Sequence, residues 1–321
     1  MSDDRAPTLR PAAPARRPPP SVVERIAHRA EVVRGTTVAA LRDPARMAAS
    51  AWWSALQGDR RARAGTLVLA LLVALTMVGL LLPPPLGHAE EALRAPSLAH
   101  LFGTDASGRD VLGAVVRGAW PTLGGGALAA FGAGTLGVAL GALSGYLRGA
   151  SDAFVHRTIE TVQALPALVV VLIVEAIVPR AGFGTLIVAI ALSRSSEVAL
   201  AVRAEVLRTA ALDHVLAARA LGAGPGRVFA FHVLPLGLVP VGALVPFAFT
   251  AAVAIETAIQ ALGVGRVHPL AWGALMGGLR AAPSAWWLVA FPALFVALAA
   301  FSASLLGDAM RDAADPRLRG G

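Results

Sequence analysis

The chain has 321 residues, 56% of them hydrophobic and only 15% charged, with a mean hydropathy of +0.66. Soluble domains are about 45–50% apolar and about 25% charged, so this chain has too few charges to cover a water-facing globule, and a bilayer solvent is implied. It contains no cysteine, which excludes disulfides, thiolate metal sites and a cysteine nucleophile. The net charge is +8, and all 28 basic residues are arginine, so their placement decides what the charge means.

Pro11 to Pro20 (PAAPARRPPP) is rich in proline and arginine and has no apolar period, so it reads as a disordered tail. Val22 to Leu56 reads either as an amphipathic helix on a membrane surface, with Trp52 and Trp53 near its end, or as a linker. The first long apolar run begins only near Gly65, which argues against a cleaved signal peptide.

A spanning helix needs roughly 20 apolar residues. Six segments qualify in chain order: Gly65 to Leu82, Gly118 to Leu147, Thr158 to Val178, Gly182 to Arg203, Val228 to Ile255 and Ala281 to Gly307. The fold class expected is all-α, a polytopic membrane protein of about six transmembrane helices. With six spans both termini share a side. Twelve arginines lie in residues 1–64, and the loops around Arg148 and Arg157 and from Arg203 to Arg227, with the tail, raise that side to twenty-one against six opposite. Positive charge is retained inside, so both termini are expected in the cytoplasm. The basic excess then describes topology, and nucleic acid is not an expected partner; membrane lipid is.

Gly137, Gly141 and Gly145 form a GxxxGxxxG ladder in the second span, either a close helix contact or a product of the alanine- and glycine-rich composition. Charges at membrane depth are costly and face a cavity or a partner. Arg194 and Glu197, three residues apart, are expected to pair on one helix face. Together with Glu175 and Glu256 they are candidates for a translocation path. Those two acids fall near span ends, where they are expected to reach interfacial water. No catalytic, cofactor-binding or metal-binding constellation occurs: the seven histidines are scattered and no HExxH, GxSxG or Walker motif is present.

The segment from Val202 to Pro235 joins the fourth and fifth spans. Thr209 to Leu221 is expected to be helical, with Leu212, Val215, Leu216 and Leu221 on an apolar side. Gly222, Gly224, Pro225 and Gly226 break it. Such a helix suits a membrane surface or a groove on a partner.

This segment resembles the cytoplasmic loop of the inner-membrane permease subunits of ABC importers for dipeptides, oligopeptides and nickel. Ala217, Ala218, Gly222, Leu234 and Pro235 match its EAA-x3-G-x9-I-x-L-P signature, preceded by VRAEVL (Val202 to Leu207). HLFGTDASGRDVL (His100 to Leu112) is similar to the family's segment before the second span. Gly145, Tyr146, Arg157, Glu160 and Pro166 fit the third, and Glu256, Ala258, Leu262, Gly263, Gly265, Trp272 and Gly273 fit the segment after the fifth. GDAMRDAADPRLR (Gly307 to Arg319) is similar to the family's ending. Leu216 stands where the signature has glutamate, and His232 where it has isoleucine. Ser195 and Ser196 replace tryptophan and proline, Leu200 an arginine, and Leu236 an asparagine.

The resemblance implies a type I ABC importer permease-like fold and a translocation subunit without enzymatic activity. Implied partners are a second permease subunit, two ABC ATPase subunits and an extracytoplasmic substrate-binding protein. It also divides the chain: residues 1–64 as a cytoplasmic N-terminal segment, 65–307 as the transmembrane permease domain and 308–321 as a cytoplasmic tail. Within the domain, 83–120 and the loop from Gly265 to Arg280 would face the binding protein. Residues 204–227 would be the coupling loop and 209–226 its coupling helix, with Asp213 supplying the acidic contact that Leu216 lacks. The other architectures weighed are an ion-gradient-driven secondary transporter or channel, and a membrane-embedded hydrolase.

Overall fold

The structure is a computed structural model that describes residues 59–83, 86–147, 150–178, 182–265 and 268–314. The expectations for Pro11 to Pro20 and for Val22 to Leu56 lie outside these residues. The described residues are helical, with a single isolated bridge between Thr104 and Asp110. Five helices are long and apolar enough to cross a membrane, and a bent pair makes six if counted as one span.

Helix α1 (Arg60–Leu81) starts where the Asp59 carboxylate accepts the Arg61 amide at 2.7 Å. It ends as Leu82 turns extended ahead of Pro83. The following segment folds back on itself. The Asp105 carboxylate accepts from the amides of Ser107 and Arg109 at 2.8 and 3.0 Å and from Arg109 Nε at 2.7 Å. Trp287 Nε1 donates to the Thr104 carbonyl at 3.0 Å. Gly108, at φ +74, lies so close to the His88 carbonyl that a side chain would collide with it.

Asp110 caps α2 (Val111–Ala119) through the Gly113 amide. The second span therefore starts well before the Gly118 expected from sequence. Pro121, which has no amide to donate, sits in a wider π turn (Trp120–Gly124), after which α3 (Gly125–Leu147) continues. The third span departs most from expectation. Thr158 to Val178 is not one helix but parts of two, α4 (Ala150–Gln163) and α5 (Ala167–Ile177), bent by 97°. Pro166 is the cause: it disfavours helix at Leu165 and itself caps α5. Alone, α5 is only about 16 Å long, too short to cross.

Helix α6 (Phe183–Ala210) outlasts its expected end at Arg203. After the short α7 (Asp213–Ala220), prolines 225, 235 and 240 divide the chain into α8 (Pro225–Val228), a π turn (Phe229–Val233) and α9 (Leu234–Gly237). The regular fifth span, α10 (Val239–Leu262), thus begins about three turns later than Val228. The short α11 (Trp272–Gly277) precedes α12 (Trp287–Ala314), the last span.

The glycine ladder packs α3 against α6. A Cβ at Gly137 would meet Val198 Cβ at 2.5 Å, one at Gly141 would strike the Ala199 carbonyl, and one at Gly145 would meet Val206 at 2.9 Å. The ladder is a helix contact, not a composition effect. The three largest apolar clusters among the described residues lie at different places in the bundle. Trp272, Val111 and Leu288 lie at the centre of one, Val202, Val206 and Val215 of a second, and Val171, Ile190 and Ile259 of a third. Large apolar side chains such as Leu67, Leu71, Leu128, Phe131 and Phe301 point outward, as a lipid-facing surface requires.

Candidate functional site

The loop between α6 and α10 is built on one anchor. Helix α6 stops at Ala210, and Leu212, extended at ψ 147, restarts the chain as α7. The single helix expected over Thr209 to Leu221 is therefore shorter and separate from α6. Its expected apolar side divides: Val215 is fully buried against Val206, Val228 and Val233, while Leu216 and Leu221 are 50% and 89% exposed. The helix turns Val215 and Ala218 toward the same cluster, so Leu216 and Leu221 face out. Asp213 is exposed in the first turn, where a carboxylate opposes the helix dipole favourably.

Gly222 ends α7 at φ +84. Its amide donates to the Arg219 carbonyl at 3.0 Å and the Ala223 amide to the Ala218 carbonyl at 3.1 Å, the two bonds of a Schellman termination. Nothing lies within 4 Å of a Cβ built at Gly222. Within this chain, then, positive φ requires the glycine and close approach does not. Leu234 and Pro235 form the start of α9, with Leu234 packed against the Val215 cluster. Ala217 is exposed and Ala218 packs inward.

Tyr146, at the end of α3, donates its hydroxyl to the Pro225 carbonyl, and its ring lies 4.6 Å from that of Phe229. His214 on α7 and His232 in the π turn face each other, ring centroids 6.4 Å apart, and His214 Nε2 and His232 Nδ1 are buried without hydrogen bonds. Burial, then the neighbouring His232, lowers the pKa of His214. These two histidines are half-buried, each with one ring nitrogen shielded from solvent.

Within the spans, Arg194 and Glu197 pair as expected, through Arg194 Nη2 and Glu197 Oε2. Glu175 and Glu256 do not reach interfacial water. Glu175 is buried against Gly265, and Glu256 lies among Thr122, Thr257 and Gln260, each acid with one carboxylate oxygen unbonded. Gly265 at φ +72 covers the first, and α10 extends past the second to Leu262. Gln260 Oε1 in turn accepts the His268 amide at 2.9 Å, and Thr122 accepts the Trp272 amide at 3.1 Å, closing the loop over Glu256.

Residues 137–320 match the family described as binding-protein-dependent transport system inner membrane component. The chain is 33% identical over 276 residues to the dipeptide transport system permease protein DppC of Bacillus subtilis, covering 83% of this chain and 85% of that protein. It is 32% identical over 228 residues to the oligopeptide transport system permease protein OppC of the same organism, covering 70% and 74%. Against the probable D,D-dipeptide transport system permease protein DdpC of Escherichia coli the identity is 30% over 264 residues, covering 79% and 88%.

The chain belongs to this family. It is a multi-pass membrane permease, a translocation subunit of an ATP-driven importer rather than an enzyme, and it acts in a complex with ATPase and permease partners. The secondary-transporter, channel and hydrolase architectures find no support in these matches.

Sequence reasoning missed one prominent feature of the permease. Arg203, near the end of α6, donates Nε and Nη2 to the two carboxylate oxygens of Asp152 on α4, each at 2.8 Å, and the Ser144 hydroxyl joins the same carboxylate. The partners are 51 residues apart, and neither sits in a periodic pattern that would couple them. The only available signal was that an acid and an arginine flank the same pair of spans.

Proposed function

We propose that the permease imports a peptide-like small solute, and that residues 204–227 couple it to its ATPases. In this reading both termini and that loop are cytoplasmic, residues 65–307 form the transmembrane domain, and residues 83–120 face an extracytoplasmic substrate-binding protein. A second permease subunit completes the pathway, and two ATPase subunits drive it. The names of the relatives, which specify dipeptide and oligopeptide transport, support the cargo.

The observation that carries the coupling role is the architecture of α7: one buried anchor, Val215, a rigid glycine-terminated end, and Leu216 and Leu221 projecting into space. A short rigid helix with exposed apolar residues suits a cleft on a partner. Through Val215 its displacement is passed to Val206 on α6 and Val233 ahead of α10. ATPase states that grip α7 differently would thereby bias two states of the spans. Asp213, exposed beside Leu216, supplies the acidic contact. Arg194 and Glu197 belong to the solute path, with Glu175 and Glu256 admitted to it only when the helices move.

The test is reconstitution in proteoliposomes. Uptake of labelled alanyl-alanine should require ATP, the ATPase subunits and the binding protein together. Uptake by this chain alone, driven by a proton or sodium gradient, would overturn the reading.

A further inference from the structure

The break between α4 and α5 opens a cavity of about 370 Å³ against α6, within the roughly 300–1,000 Å³ of small-molecule sites. Its walls are Gln163 and the Val162–Ala167 bend on one side, and Ser193, Arg194, Ser196 and Glu197 on the other. Five consecutive polar positions, Ser193 to Glu197, at membrane depth are a costly arrangement unless they meet something polar. Two of the groups there are unspent: Ser193 Oγ and Arg194 Nε are buried and make no hydrogen bond. The pair that closes the cavity is asymmetric. The Arg194 side chain is 17% exposed and fixed within the wall, whereas that of Glu197 is 47% exposed and free to swing away.

We propose that this cavity is a binding site for the carboxylate of the transported solute, with Arg194 as its cation and Glu197 as a built-in placeholder. In the solute-free permease the Glu197 carboxylate occupies the guanidinium. An arriving carboxylate displaces it, and Glu197 turns into the cavity, where it faces the cationic end of a zwitterion. A guanidinium has five donors in a planar fork and takes carboxylates bidentately, and one of these donors is engaged in the Arg194–Glu197 bond. Ser193 and Ser196 keep the wall small and polar. The inference rests on the peptide reading above, since it supposes a solute with a free carboxylate.

The chain has no native cysteine, so Gln163→Cys, on the exposed wall of the cavity, gives a unique reporter in the permease of the assembled transporter. With Glu197→Gln added to free the guanidinium of its internal carboxylate, its reaction with an anionic methanethiosulfonate should be about tenfold faster than with a cationic one of similar size, as one nearby cation dictates. Alanyl-alanine should slow the anionic reaction, and alanyl-alanine amide should not. Arg194→Gln should abolish both the charge preference and the protection, and Arg194→Lys should keep the first while weakening the second. Equal rates for the two reagents, equal protection by the amide, or protection that survives Arg194→Gln would each overturn the site while leaving the peptide reading intact. Wild-type proteoliposomes that take up no alanyl-alanine would overturn the peptide reading and this inference with it.

Discussion

Arg203 holds Asp152 through two hydrogen bonds of 2.8 Å, tying α6, just before the proposed coupling loop, to the start of the bent pair α4–α5. The side chains are 21% and 17% exposed, so the pair is partly desolvated and its geometry is bidentate, the arrangement in which an ion pair contributes most. It sits where displacement of α7 would reach the helices that bound the cavity.

Removing one partner leaves the other charge poorly solvated. Arg203→Ala should lower the stability of the purified permease by about 1–3 kcal/mol, discounted from a fully buried pair for residual exposure. A double-mutant cycle with Asp152→Ala should return a coupling of at least about 1 kcal/mol. Additive thermal-unfolding effects would show that the two residues act independently.

The glycine ladder makes a steric prediction with an internal control. Gly141→Val should prevent α3 from closing on α6, because even a Cβ there collides with the Ala199 carbonyl; a loss of several kcal/mol and of folded yield is expected. Gly184 lies near the start of the same α6 with nothing within 4 Å of its Cβ. Gly184→Ala should leave yield and melting temperature within the range of the parent. Equal tolerance at both positions would mean that the ladder does not set the helix spacing.

This ladder was legible in the sequence because its information is local: three glycines at one spacing specify one helix face. Gly222 was legible for the same reason, since a helix running into Gly-x-Gly-Pro must stop. The 97° bend was not read, although Pro166 was in view, because hydropathy averages across a proline and both halves are apolar. The burial of Glu256 was also hidden. Its enclosure depends on Thr122 and on the loop that returns at His268 and Trp272, contacts that span up to 150 residues. Position along a helix says how near an acid is to the span end, but not what is folded over that end.

Acidification should weaken the anchoring of α7. Burial and the adjacent His232 ring hold the His214 pKa below its ordinary value near 6.5, with a hydrogen bond to the His232 backbone and the Asp213 carboxylate opposing them only in part. A histidine whose folded pKa is depressed binds fewer protons folded than unfolded, so stability rises with pH. Its contribution is complete above about pH 6.5 and is lost progressively below it. The permease should therefore melt lower at pH 5 than at pH 8, and His214→Gln should reduce that difference. An unchanged difference in the variant would assign the pH dependence to other groups.

Labelling tests the orientation proposed for the loop. Val215 is the buried anchor, so a cysteine there would report on packing rather than on sidedness. Leu221→Cys, 89% exposed at the native position, should react with a membrane-impermeant maleimide in inverted vesicles and remain unreacted in intact cells. Labelling from outside would reverse the topology.

Gly222 separates backbone strain from docking. Its φ of +84 is accessible to glycine and, at modest cost, to asparagine, but not to a β-branched residue. Because a side chain at this position meets nothing within 4 Å inside the permease, Gly222→Val should cost about 1–3 kcal/mol by strain alone and untwist the end of α7. Gly222→Asn should keep the backbone turn while adding a side chain to the exposed face. If α7 seats tightly in an ATPase cleft at this glycine, Asn should impair ATPase retention and uptake nearly as much as Val. If only the turn matters, Asn should support near-parental uptake and Val should not. Retention of the ATPases on affinity-purified permease, measured beside alanyl-alanine uptake, separates the cases: ATPases lost means failed docking, and ATPases bound without uptake means failed transmission through Val215. Normal retention and uptake in Gly222→Val would remove this loop from the coupling mechanism altogether.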